Sequence, residues 1–153
     1  YAHQWAGIKP DLVTMAKGIA NGFPVGAVAI SPEFEAVTGM LGTTFGGNYL
    51  AMACAVAVLE IIKEESLIDN ALNVGNYLKE NIPRKSCVND VRGRGLMLGI
   101  EFNCSVAPIR KALLYDKHIF TGVAGNNMIR LLAPLTLTLE QAGKFIKALE
   151  EVI

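Results

Sequence analysis

The sequence predicts an α/β protein with two portions, and three observations carry that prediction. Two short apolar runs, 11–16 and 25–31, are nearly continuous and are bordered by glycine and proline, which is typical of strands covered on both faces in a mixed or parallel sheet. Apolar residues then recur at helical spacing up to residue 82. A polar, non-periodic stretch follows, so we expect one α/β portion over 1–82 and a small α+β portion over 83–153.

The individual elements follow from local signals along the chain. Asn48 can cap a helix whose alanine-rich first half is apolar on every side, which predicts burial of that helix. Thr138 and Gln141 have the spacing of a capping box and predict the start of the last helix. The predicted elements are strands at 11–16 and 25–31, a helical turn from Ser31, helices at 49–65 and 67–82, a turn and strand at 91–102, a helix at 106–118, a strand at 119–121, a tight turn at 122–127, a strand at 128–132 and a helix from 139.

Composition limits the classes of function. The 14 basic and 14 acidic side chains balance, which gives no electrostatic case for binding nucleic acid or an anionic membrane. The longest apolar run, 49–59, is too short to span a bilayer. Three cysteines without paired spacing argue against a disulfide framework or a metal site, and a reduced cytoplasmic setting fits best.

Lys17 is the first candidate for chemistry. It ends an apolar run and is followed at once by small and turn-forming residues, which leave room for a flat ligand. A lysine is nucleophilic when it is partly desolvated, and burial at the end of a strand would achieve that. The residues alone favour the simpler interpretation, a solvated lysine at a strand end.

Two further groups can bind anions. Thr43 and Thr44 precede a helix start among glycines, so their hydroxyls and the free amides could hold a phosphate, or the segment could be a glycine turn with a capping role. Arg130 lies in an apolar strand, where a guanidinium could bind a carboxylate in two-pronged fashion or could point into solvent. Arg92 and Arg94 are assigned to structural ion pairs.

Four segments together resemble class III, pyridoxal-phosphate-dependent aminotransferases and occur in that family's order. They are 10–18 with 22–27, which resembles the segment bearing the cofactor-bound lysine; 42–48, which resembles a phosphate-contacting loop; 91–102, which resembles the start of the small domain; and 125–135, which resembles the carboxylate-binding segment. Tyr49 and Ala133 stand where the family usually has proline.

The resemblance implies a role for each candidate residue. It implies fold type I, with the end of a large cofactor domain followed by the small C-terminal domain. Lys17 would bond covalently to pyridoxal phosphate and then move the proton during transamination. Thr44 would bind the cofactor phosphate, reaching across a homodimer interface; Thr43 would contact substrate; and Arg130 would hold the substrate α-carboxylate.

The likeness is strongest to enzymes that act on acylated ornithines. It implies transfer of an amino group from N-acetylornithine or N-succinylornithine to 2-oxoglutarate, in arginine biosynthesis. Because Tyr1 aligns with the middle of family members, we expect a C-terminal fragment that is inactive by itself. Two alternatives stay open: another ω-aminotransferase, acting on ornithine or 4-aminobutyrate, and a non-catalytic fragment.

Overall fold

A computed structural model describes residues 1–153, which form two compact units, Tyr1–Glu64 and Glu65–Ile153. The first unit contains α1 (Ala2–Trp5), β1 (Leu12–Met15), a 3-10 helix (Lys17–Ala20), β2 (Ala27–Ile30) and α2 (Tyr49–Glu64). The second contains α3 (Leu67–Asn81), β3 (Val88–Arg94), β4 (Met97–Phe102), α4 (Ala107–Tyr115), β5 (Gly122–Ala124), β6 (Met128–Leu132) and α5 (Leu139–Val152).

The two strands of the first unit pair antiparallel with each other, with Leu12 opposite Ile30 and Met15 opposite Ala27. The prediction of a mixed or parallel sheet covered on both faces is therefore not met within this unit. The connection between the strands, 16–26, contains only one short 3-10 helix, whereas parallel strands need a longer crossover, usually an α-helix. No third strand joins the pair, and Leu12 and Val28 are 55% and 53% exposed.

Helix α2 starts as predicted but is not buried as predicted. The backbone amide of Ala51 donates a hydrogen bond of 3.1 Å to Asn48 Oδ1, so Asn48 caps the helix. The helix packs against the 3-10 helix, but Ala51 is its only buried residue. Ala20 is the only other buried residue of the first unit, which therefore has almost no core of its own. The helical turn expected from Ser31 is an isolated turn.

The two units divide between Glu64 and Glu65, earlier than the predicted boundary before Pro83. Helix α3 belongs to the second unit because its apolar stripe, including Val74 and Leu78, is buried against α5, β3 and β4. The stripe itself is the one that the helical spacing predicts.

The second unit is a four-stranded antiparallel sheet in the order β3-β4-β6-β5, with its core on one face. This inner face and the helices bury a single cluster: Val74, Leu78, Ile82, Val91, Leu96, Leu98, Ile100, Phe102, Val106, Ile109, Leu113, Ile129, Ala142, Phe145, Ala148 and Leu149. Side chains alternate across a strand, so the neighbours of buried Leu98, Ile100 and Ile129 lie on the outer face.

Two predictions about the second unit are corrected by the structure, and a third is confirmed. Residues 91–102 lie in a hairpin of two strands rather than one turn and strand. The strand expected at 119–121 lies instead at 122–124, because the Ile119 amide still closes the end of α4 by donating to the Leu113 carbonyl at 2.8 Å. The capping box is confirmed, since Thr138 and Gln141 exchange hydrogen bonds of 3.0 and 3.2 Å.

Candidate functional site

Lys17 lies directly after β1, as the first residue of the 3-10 helix. Its backbone has a φ of +54°, in the left-handed region that residues other than glycine seldom adopt. Such backbone geometry is concentrated at functional sites, where the surrounding structure holds it in place. Of the two interpretations of Lys17, the structure shows the solvated lysine that the residues alone favour, because the side chain is exposed. Strand β1 ends at Met15, so Lys17 lies beyond the two-stranded sheet and is not covered by it.

Lys17 lines an open depression of about 400 Å³, together with Gly18, Asn21, Gly22, Phe23, Pro24 and Val25. Asn21 also has a left-handed backbone, with φ of +49°, and ends the 3-10 helix. Two non-glycine residues with left-handed backbones thus bracket one turn of chain beside the amine. Phe23 supplies the only aromatic surface in the lining. Sequence reasoning had not singled out Asn21 or Phe23; the signal was their place in the turn after Lys17.

A second open depression, of about 500 Å³, adjoins the first and contains Thr43. The two share Phe23, Pro24 and Val25, so the first unit brings Lys17 and Thr43 to opposite sides of one segment. Thr44 lines neither depression. Neither threonine hydroxyl makes a hydrogen bond within the chain, and both lie just before the capped start of α2. Hydroxyls and amides in such a place can bind an anion.

Arg130 lies in β6, in the second unit, and its side chain is on the outer face of the sheet because Ile129 beside it is fully buried in the core. It is exposed and forms no ion pair or side-chain hydrogen bond. A guanidinium left free on an open face can accept a carboxylate from outside the chain. The sequence left open whether Arg130 binds a carboxylate or points into solvent. The structure shows it exposed to solvent, and a carboxylate ligand would need the same exposure.

Arg92, on the same face, differs in being neutralised. Its Nη1 lies 2.7 Å from Asp90 Oδ2 and 2.5 Å from Glu101 Oε2. Hydrogen bonding to Arg92 lowers the pKa of Asp90 below its usual value, and hydrogen bonding to Asp90 in turn raises the pKa of Arg92. The predicted structural ion-pairing role of Arg92 fits this geometry.

The structure contains neither a metal cluster nor a membrane span. No group of three or more histidine, cysteine, aspartate or glutamate side chains is placed to bind a metal ion. No helix has both the length and the apolar character needed to cross a bilayer.

Solved structures of aminotransferases have the same fold as this chain. It superposes on the acetylornithine aminotransferase of Elizabethkingia anophelis with a TM-score of 0.86 and 30% identity, covering 99% of this chain and 43% of that one. It superposes on the ornithine aminotransferase of Toxoplasma gondii with a TM-score of 0.88 and 26% identity, covering 99% and 39%. The fold is that of the fold type I enzymes that use pyridoxal phosphate.

The family follows from the sequence comparisons. The family model for aminotransferase class III matches residues 1–153, and the chain belongs to that family. It is 42% identical over 158 residues to the acetylornithine aminotransferases of Streptococcus mutans, covering 99% of this chain, and of Bacillus subtilis, covering 100%. In both cases the chain spans 41% of the relative's length. The predicted resemblance is thereby confirmed.

The donor groups of the first unit fit pyridoxal phosphate, the cofactor of this family. An exposed amine beside a glycine-rich depression can reach an aldehyde, and Phe23 offers a surface for a flat ring. The unpaired hydroxyls of Thr43 and Thr44, next to the start of α2, suit a phosphate.

Proposed function

We propose that this chain carries the cofactor lysine and the carboxylate-binding arginine of an aminotransferase that moves an amino group from N-acetylornithine or N-succinylornithine to 2-oxoglutarate. The observation that carries the proposal is Lys17, held with a left-handed backbone in a depression lined by glycine and phenylalanine. The 42% identity to two acetylornithine aminotransferases supports the choice of donor. We also propose that the whole enzyme is cytoplasmic and acts in arginine biosynthesis.

In this mechanism the chain contributes an amine, an anion site and a carboxylate site. Bound pyridoxal phosphate supplies the electron sink that makes the donor's carbon–hydrogen bond acidic. The Lys17 amine would hold the cofactor covalently and, when free, would take and return the proton. Its exposure lets donor and 2-oxoglutarate reach it in turn.

The other residues bind and orient. Thr44 would bind the cofactor phosphate of the neighbouring subunit in a homodimer, and Thr43 would contact substrate. The apolar α2, exposed over most of its surface, needs a covering surface, and a dimer interface would supply part of it. Arg130 fixes the substrate α-carboxylate through paired hydrogen bonds. The 153-residue chain alone is proposed to be inactive. The depressions beside Lys17 and Thr43 are open to solvent, and the first unit does not enclose a cofactor in them.

A chimera tests the proposal. This chain replaces the matching 41% of the Bacillus subtilis acetylornithine aminotransferase, and activity is measured with N-acetylornithine and 2-oxoglutarate. We expect transamination that Lys17→Ala lowers by roughly a thousandfold or more, as expected for loss of a general acid–base group. Lys9→Ala, which removes another exposed lysine nearby, serves as the matched control and should leave the rate unchanged. An active Lys17→Ala chimera would remove Lys17 from the mechanism.

Ornithine is the second candidate donor, because the Toxoplasma gondii ornithine aminotransferase superposes with a TM-score of 0.88. The same chimera, assayed with ornithine in place of N-acetylornithine, separates the two. A higher kcat/KM for ornithine would favour this candidate.

A further inference from the structure

The outer face of the second unit's sheet has a row of four residues with an unusual alternation of side chains. The register places Arg92 opposite Gly99, Gly99 opposite Arg130, and Arg130 opposite Gly122. Directly paired residues share a face, so the row reads arginine, glycine, arginine, glycine across neighbouring strands. Glycine is unfavourable within strands, and its presence there often marks a place where another group approaches closely.

Each glycine of the row lies beneath a side chain of β6. A Cβ atom added to Gly99 would lie 2.9 Å from Met128 Sδ, so the thioether occupies the space above Gly99. A Cβ atom added to Gly122 would lie 2.9 Å from the Arg130 carbonyl oxygen, 3.5 Å from Arg130 Nε and 3.6 Å from Arg130 Cβ, so the β6 backbone and the arginine stem both run close over Gly122. Arg130 is thus directed toward the edge strand β5, while Met128 fills the opposite side.

This direction separates the two arginines of the row. Their strands lie two sheet spacings apart, about 10 Å. Arg92 is held by Asp90 of its own strand and by Glu101 of β4. Arg130 extends the other way, over a position without a side chain, and keeps all its donors free. A carboxylate approaching Arg130 from β5 therefore meets a residue without a side chain at Gly122.

We infer that Gly122 is a positioning residue for Arg130, setting the direction of its guanidinium and so the place where a substrate carboxylate is held. The inference rests on the proposed function, which gives Arg130 its carboxylate. No glycine-specific backbone angle is involved at Gly122, since its φ is not in the left-handed region. The property that matters at residue 122 is the lack of a side chain, which leaves room for Arg130.

The test measures binding of 2-oxoglutarate to the 153-residue chain by NMR, following the Arg130 Nε–Hε signal, which Arg130→Ala assigns. Gly122→Val introduces branched carbons beside Arg130 Nε in a residue type that strands favour, but its Cβ also lies 2.9 Å from the Arg130 carbonyl oxygen, so the amide spectrum of each variant is recorded first. We expect the dissociation constant to rise about tenfold, which corresponds to loss of one charge-assisted hydrogen bond. Ala124→Val is the matched control, because Ala124 lies on the same strand and face but pairs with Met128.

The outcomes separate the inference from the function on which it rests. Weaker binding by Gly122→Val but not by Ala124→Val, in chains with equally dispersed amide spectra, supports it. Equal binding by Gly122→Val and the unmodified chain overturns it and leaves Arg130 as the carboxylate site. No shift of the Arg130 signal in the unmodified chain overturns both. If Gly122→Val unfolds, Gly122→Ala is compared with Gly143→Ala, and equal binding by that pair overturns the inference.

Discussion

Gly75 is a position in the second unit where a single added methyl group should be strongly destabilising. It lies inside α3, where alanine is normally preferred to glycine by about 1 kcal/mol. A Cβ atom at Gly75 would lie 2.1 Å from the Gly95 carbonyl oxygen and 2.4 Å from its carbonyl carbon. These are backbone atoms of the turn between β3 and β4, and they cannot rotate away as a flexible side chain could.

The expected effect of Gly75→Ala is therefore a net loss of stability. Overpacking costs typically about 1–3 kcal/mol, and occasionally more where nothing flexible can yield. Moving the turn would also pull on Leu96, which is buried in the core. Because only backbone atoms are met, we take the upper end of that range, about 3 kcal/mol, and subtracting the gain of about 1 kcal/mol in helix propensity leaves a net loss of about 2 kcal/mol. In a domain of this size that lowers the melting temperature by roughly 10 °C.

Thermal unfolding followed by far-UV circular dichroism measures this loss, with Gly143→Ala as the control. Gly143 is also inside a helix, α5, but the nearest atom to its added Cβ would be Tyr77 Oη at 3.5 Å, an ordinary contact. Gly143→Ala should therefore raise stability by about 0.5–1 kcal/mol. If Gly75→Ala melts at or above the temperature of the unmodified chain, the close approach of α3 to the β3–β4 turn is not what requires glycine.

Two further predictions concern autonomy and assembly. Residues 65–153, expressed alone, should fold and unfold cooperatively, whereas 1–64 should not, because Ala20 and Ala51 are the only buried residues of the first unit; a well-dispersed amide spectrum from 1–64 would contradict this. In the chimera, mixing inactive Lys17→Ala and Thr44→Ala subunits should restore about a quarter of the activity, since half of the randomly formed dimers carry one intact site of two. Absence of recovery after exchange confirmed by native mass spectrometry would place Thr44 outside the neighbouring site.

Local signals predicted most of the second unit. The cap at Thr138 and the strand at 128–132 depend on residues close together in sequence, and both are found where expected. Pairing could not be predicted in the same way. The antiparallel partner of β1, the hairpin of β3 and β4 and the row containing Gly99, Arg130 and Gly122 depend on register between distant segments, which periodicity does not encode.

Burial in the first unit was mispredicted for a related reason. An apolar helix or strand indicates that a covering surface is needed but not which polypeptide supplies it. The apolar runs of β1 and α2 were interpreted as covered, and the first unit leaves them largely open. For the candidate site, the roles of Lys17, Thr43, Thr44 and Arg130 came from the family resemblance and stay predictions, whereas the surroundings of Lys17 depend on that missing cover.

The left-handed backbone at Lys17 sets stability and chemistry against each other at one residue. A lysine in that conformation carries a strain of roughly 1–2 kcal/mol that glycine would not. Selection for thermal stability alone would therefore favour glycine at this position. Glycine would relieve the backbone strain but would also remove the amine. Engineering that ranks substitutions by folding energy should flag Lys17 as improvable, and accepting that advice would abolish the proposed reaction.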